Sequence, residues 1–427
     1  RSANTWGLTL TWDGQVFWTQ PTSGTVFFHT LLSEKILALG KIPGTTSAKG
    51  MIINQPTFPA MTWPEQAYAQ IDQVGRFTAA AGCAIYEGGA WPAPWNYSYF
   101  TTEPTLNIVH HEFVTPEGVS YTVAKEKGRE ETEFIRSTDL WFRPIENRVG
   151  PDGALYIVDF YNQAVIHNDT RGPIHSKANS AFRPDRDHYF SRIWRVQHKA
   201  ATVLPAVALN STDLPGLLQT IATSPNAHVK LTALRLAQEN FPNAPELVAL
   251  SQPLGSRAFL RYEAARAATT PAERAAVLAE FVAATDDWTK SALIAAANQQ
   301  ALVYIADALA SKNPAFGPFV QALTPAVALA QAPELIQASI QSTHLLAANL
   351  LRGLSQSTNQ PPPLDATTAA ALQKALAINE TAPAALVVVL KWDPTSQLAA
   401  AVAATAESLL AELAAPQISD ERRAEIA

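Results

Sequence analysis

The sequence predicts a β + α multidomain chain: a partial β-propeller of about three blades over residues 1–199, followed by a HEAT-like α-solenoid over residues 200–427. Three observations predict it. A turn-and-strand phrase at residues 142–162, FRPIENRVGPDGALYIVDFYN, has an echo near the start of the chain. The first half is rich in aromatic residues, Gly and turn dipeptides, and from residue 200 onward Ala and Leu dominate in phrases of helical period.

The echo comes first along the chain. Residues 6–19, WGLTLTWDGQVFWT, hold two short runs separated by Asp13-Gly14, which supplies a side chain able to bond its own backbone and a residue tolerant of φ > 0. Cys83-Ala84-Ile85-Tyr86 and residues 107–113, NIVHHEF, read as further strands, separated by an aromatic and Pro-rich loop at 91–95. Pro151-Asp152-Gly153 repeats the turn at an offset of 139 residues (152 minus 13), room for two blades, one of them without Asp-Gly. Leu155, Tyr156, Ile157 and Val158 are apolar in succession, which predicts a strand buried on both faces. Arg192-Ile193-Trp194-Arg195-Val196 is the last strand, and the domain border is placed in residues 197–205, where the composition changes.

The helical half repeats one phrase. In residues 208–240, Asp213 caps a helix carrying Leu214, Leu217, Leu218 and Ile221, Ser224-Pro225 breaks it, and Asn226 starts a second with Val229, Leu231 and Leu234. Comparable units follow near 260–283, 287–310, 316–330, 334–354 and 367–390, each too small to bury its own apolar face. Asp286-Asp287-Trp288 reads as a helix start, with carboxylates at its positive end. Pro361-Pro362-Pro363 reads as a stiff spacer.

A chain of 427 residues exceeds the usual single core, and 47% apolar with 16% charged residues is globular. The net charge of −6, without a basic cluster, disfavours nucleic-acid binding. No apolar run reaches the roughly 18 residues of a membrane span. Cys83 stands alone, which excludes an internal disulfide, a CxxC metal pair and a CxxCH haem attachment site, and reads as a small buried hydrophobe. His110 and His111, adjacent on a strand, point to opposite faces and cannot share a metal, so at most one faces a site. No metal site is expected from these residues. The chain begins at Arg1 inside what reads as a blade, so the expectation is a piece of a longer polypeptide whose earlier blades cover the open sheet.

The candidate site residues are Arg143, Asp159 and His167. Pro144 holds Arg143 extended, so its guanidinium is a candidate for holding an anionic cofactor or a developing alkoxide; the alternative is a structural clamp to a neighbouring blade's carboxylate. Asp159 ends a strand, where it either orients a base or binds calcium, or closes the strand in an Asx turn. His167, in the following loop, is a candidate base for a hydroxyl proton, or ordinary surface. The run at 183–188, RPDRDH, reads as a salt-bridged lid or brace, and Arg192 and Arg195 flank Trp194 for guanidinium packing on indole.

Phe142-Arg143-Pro144, residues 150–156, Asp159-Phe160-Tyr161-Asn162, His167, Arg186-Asp187-His188 and the strand at 192–196 together resemble the large secreted proteins of planctomycete and verrucomicrobial bacteria that join a membrane-bound-dehydrogenase-type propeller to HEAT repeats. That propeller is similar to the quinoprotein glucose and sorbosone dehydrogenases. The resemblance implies oxidation of a sugar hydroxyl or aldehyde with pyrroloquinoline quinone (PQQ) and calcium, in a periplasmic or extracellular space, with Arg143 and Asp159 near the substrate mouth. It is specific over residues 134–199 and looser over 1–133. The family's CxxCH is missing, Gln163 and Ala164 depart from its pattern, and the blades that carry its base and most cofactor contacts are not in this sequence. The fragment alone is therefore expected to be inactive. The alternative is a non-enzymatic propeller and HEAT scaffold presenting a surface to a glycan or a protein partner.

Overall fold

The computed structural model describes residues 5–21, 24–60, 75–162, 190–250, 254–356 and 364–426. Three antiparallel sheets come first. The first is a meander of β1 (Gly7–Leu10), β2 (Val16–Thr19), β3 (Thr25–Thr30) and β4 (Ala48–Ile53). The second runs β5 (Cys83–Tyr86), β6 (Ser98–Glu103), β7 (Ile108–Glu117) and β8 (Ser120–Ala124), with β9 (Ile135–Arg136) also paired to β7. The third is β10 (Pro144–Val149), β11 (Leu155–Asp159) and β12 (Arg192–Val196). Both Asp-Gly turns form where the sequence places them, with Gly14 at φ +79° and Gly153 at φ +73°. A Cβ at Gly153 would sit 2.4 Å from that of Ala90, so the turn needs glycine for space as well as for conformation.

Alternation along the strands builds two cores, one on each face of the second sheet. Cys83, Ile85 and Tyr99 face Phe17, Phe27 and Ile52 of the first sheet, and the rings of Phe27 and Tyr99 stack at 3.6 Å. Their neighbours Ala84, Tyr86 and Phe100 face Phe142, Leu155 and Ile157 on the side of the third sheet. Burial on both faces, expected for residues 155–158, belongs instead to β5. In β11 Leu155, Ile157 and Asp159 are buried while Tyr156 and Val158 are only half covered. The reason is position, since the second sheet has a core on each side and the third has one.

The chain forms two compact units. One comprises residues 1–31 and 48–257, the other residues 32–47 and 258–427. The switch of secondary structure falls between β12 and α2 (Leu214–Thr223), whereas the division between compact units falls later, after the helical hairpin of α2 with α3 (Ala227–Asn240) and the short α4 (Pro245–Leu250). Asn226 shows why the hairpin joins the sheets. Its side-chain carbonyl caps α3 at His228 N and Val229 N, while its amide donates to Gly150 O at 2.9 Å. Ala227 N then donates to Glu87 O, and His228 bonds Ile85 O.

The second unit holds α5 (Arg257–Arg266, from its second residue), α6 (Pro271–Ala283), α7 (Asp287–Ala297), α8 (Ala301–Ser311), α9 (Gly317–Leu323), α10 (Ala332–Ile340), α11 (His344–Ser355), α12 (Ala366–Leu376), α13 (Ala382–Trp392), α14 (Ala399–Leu413) and α15 (Asp420–Ile426). Asp286 accepts from Thr289 N as the cap of α7, the helix-start role its sequence predicts, and Thr270 with Glu273 forms a capping box on α6. The connection between β3 and β4 belongs here, with its short helix α1 (Glu34–Leu37). Ser291 Oγ accepts from Ile42 N at 3.0 Å, and Trp288 Nε1 donates to Thr46 O at 2.9 Å. Residues 287–311 are long and apolar enough to cross a membrane by length and composition; 61% of that apolar window is buried inside the protein, as in a core helix. Pro361-Pro362-Pro363 and the 183–188 run lie outside the described residues.

Candidate functional site

Arg143 and Asp159 come together, but as an internal brace. Both are fully buried. Arg143 Nε donates to Asn162 O at 3.1 Å, and Nη1 donates to Pro104 O at 3.0 Å and Thr105 O at 3.2 Å, so the guanidinium ties the β6–β7 connection of the second sheet to the end of β11. Burial lowers its pKa to about 10, which leaves it charged at neutral pH. Nη1 also donates to Asn107 Oδ1 at 3.4 Å.

Asp159 is equally occupied. Its Oδ1 accepts from Arg143 N at 2.7 Å and from Tyr161 N at 2.9 Å, the Asx turn that ends β11. Its Oδ2 accepts from Arg192 Nε at 3.2 Å and Trp194 Nε1 at 3.0 Å. The Arg192 guanidinium in turn lies 3.4 Å from the Tyr161 ring centroid and 4.9 Å from that of Trp194. His167 lies outside the described residues. PQQ needs cations directed at its carboxylates, and its calcium needs open oxygen ligands. Arg143 and Asp159, inward-facing and hydrogen-bonded as they are, do not fit that group.

A different site lies on β7. The register pairs residues 113–117 with β8 and residues 108–109 with β9, on the edge of β7 away from β6, and leaves 110–112 without a strand partner on that edge. The loop from Lys125 to Phe134 spans this gap. Alternation sends the two histidines to opposite faces, as the sequence predicts. His110 Nδ1 bonds Glu133 Oε2 at 2.7 Å and its Nε2 bonds Glu112 Oε1 at 3.0 Å. Lys125 Nζ donates to the same Glu133 oxygen at 3.1 Å, and Glu133 Oε1 accepts from Phe58 N. Burial opposes charge on His110, but the bonds to Glu112 and Glu133 outweigh it and raise its pKa. Burial likewise penalises the Glu133 carboxylate, yet its bond to His110 and the nearby charges hold its pKa below the usual value.

His111 faces an aromatic cluster, its ring 4.6 Å from Phe113, 4.8 Å from Phe100 and 5.0 Å from Trp95. It is only 7% exposed, and its Nε2 is buried without a hydrogen-bond partner among the described residues. Burial, reinforced by the positive charges of His110, Lys125 and Arg129, lowers its pKa to about 3, so the imidazole is neutral. With Trp95, Phe134, Lys125, Arg129 and Glu133, His111 lines a pocket of about 190 Å³.

The sequence singled out the tryptophan loop and the opposed histidines, but not Lys125, Arg129 or Glu133. Their signal was the dense charge of residues 125–133, KEKGREETE, set between two strand-like stretches. No motif links them, because register rather than spacing brings them to β7.

The chain therefore combines a three-sheet β region, with an aromatic pocket on its middle sheet, and a helical region. Residues 1–200 match a family described as a domain of unknown function, DUF7133. No curated protein and no solved structure matches the chain.

Proposed function

We propose that this chain is a binding scaffold, in which propeller-type blades and HEAT-like helices display a glycan site beside His111. The three meandering sheets are read as consecutive blades, each packed on the next through one face. Leu8 and Leu10, about half exposed on the outer face of the first sheet, are what a blade at the open end of such a series presents. The helical pairs are read as stacked repeats. A periplasmic or extracellular setting follows from the resemblance of residues 134–199 to secreted proteins.

The observation that carries the glycan reading is the aromatic pocket with a charged rim, lined by Trp95, Phe134, Lys125 and Arg129. A pyranose has an apolar C–H face that packs on an indole such as Trp95, and hydroxyls that bond the charged rim. Arg143 and Asp159, already engaged within the β region, favour this reading over catalysis by the described residues. The test is a glycan array followed by isothermal titration calorimetry on the whole chain and on Trp95→Ala. Saturable sugar binding that falls at least about tenfold in the variant supports the reading. Unchanged binding by Trp95→Ala, or sugar-dependent dye reduction after loading with PQQ and calcium, overturns it.

A further inference from the structure

The charges around the pocket narrow its ligand class. Glu133 lines it, but its Oε2 is shared by His110 and Lys125 and its Oε1 by Phe58 N, so its negative charge is neutralised from within. Glu112 is 1% exposed and is bonded by His110 and Gln55. The remaining rim charges are Arg129 and Glu126, which approach only to 3.6 Å, with side chains 60% and 43% exposed. An exposed contact of that length contributes little and is easily exchanged. Arg129 thus keeps a planar fork of donors available at the mouth, while Trp95 and Phe134 form the apolar wall. Arg129 is also one of the positive charges that, after burial, lower the pKa of His111.

Resting on the glycan reading, we propose that the pocket takes an acidic sugar, a uronate residue whose carboxylate pairs with Arg129 while its ring lies against Trp95 and Phe134. Glu126 is displaced from Arg129 by the ligand carboxylate, so one ion pair replaces another and no covalent step is involved. The carboxylate accepts two parallel N–H bonds, which a neutral sugar cannot match.

The test is calorimetric titration of the whole chain with methyl glucuronide and methyl galacturonide, against methyl glucoside and methyl galactoside, for wild type and Arg129→Gln. Arg129 is exposed, so its replacement leaves the fold intact, and circular dichroism of the variant checks this. We expect at least one uronide to bind about tenfold tighter than its neutral counterpart, and Arg129→Gln to remove that difference. The preference weakens as salt is raised. Equal binding of acidic and neutral sugars, or an acid preference that survives Arg129→Gln, overturns the acidic class and leaves the glycan reading standing. Binding of none of the four sugars to the wild type overturns both.

Discussion

Replacing Arg143 with alanine separates a brace from a ligand-binding group. The guanidinium supplies donors to three buried main-chain carbonyls, Pro104 O, Thr105 O and Asn162 O, at 3.0 to 3.2 Å. Each buried acceptor left unsatisfied costs about 1–3 kcal/mol, and water entering the vacated space recovers part of it. The expected net loss is about 4 kcal/mol. At about 2–4 °C per kcal/mol for a unit of this size, the transition of the β region moves down by about 8–16 °C. Intrinsic tryptophan fluorescence reads that transition, because only Trp288 and Trp392 lie beyond residue 200. Arg143→Lys keeps the charge without the planar fork and falls between the two. A melting temperature within about 1 °C of wild type for Arg143→Ala would refute the reasoning and return Arg143 to the candidates for ligand contact.

Two further outcomes follow from buried polar groups. Burial raises the pKa of Glu103 to about 7 even though its carboxylate accepts from Thr78 N, Ala79 N and Thr105 N. The folded state thus holds a proton that the unfolded state releases near pH 4.5, so this stabilisation is full below pH 4.5 and is lost as pH rises through 7, about 3 kcal/mol in all. Buried His29, with its pKa lowered to about 4, acts oppositely, losing stability as pH falls from 6.5 towards 4. The test is the difference between wild type and Glu103→Gln in urea denaturation: it should be largest near pH 5 and shrink by about 3 kcal/mol towards pH 8, and a difference independent of pH would exclude the buried protonated carboxylate. His111→Phe keeps the ring contacts with Trp95, Phe100 and Phe113, so its stability in urea denaturation should lie within about 1 kcal/mol of wild type. A loss of about 3 kcal/mol or more would show that a polar partner of the imidazole holds it in place.

Local chemistry made much of the architecture legible. Asp13-Gly14 and Asp152-Gly153 announced their turns because positive φ at Gly14 and Gly153 is met most cheaply by glycine. Asp213, Asn226 and Asp286 announced helix starts because a short acceptor side chain there satisfies free N–H groups. Assignment of residues 32–47 to the helical unit was not legible, since it depends on long-range bonds such as Ile42 N to Ser291 Oγ. The same limit hid the pocket. His111 and Trp95 were visible as types, but Glu133 reaches His110 across 23 positions only because β8 leaves β7 and β9 returns to it. Arg143 and Asp159 illustrate the converse: polar residues at the ends of strands look like chemistry, and here both are buried and hydrogen-bonded within the β region.

The most direct test of the account is a crystal structure of the chain soaked with a methyl uronide. Ring density is expected against Trp95 and Phe134, with the carboxylate within hydrogen-bond reach of Arg129. Sugar density seated elsewhere on the β region, with the pocket beside His111 empty at saturating ligand, would contradict it.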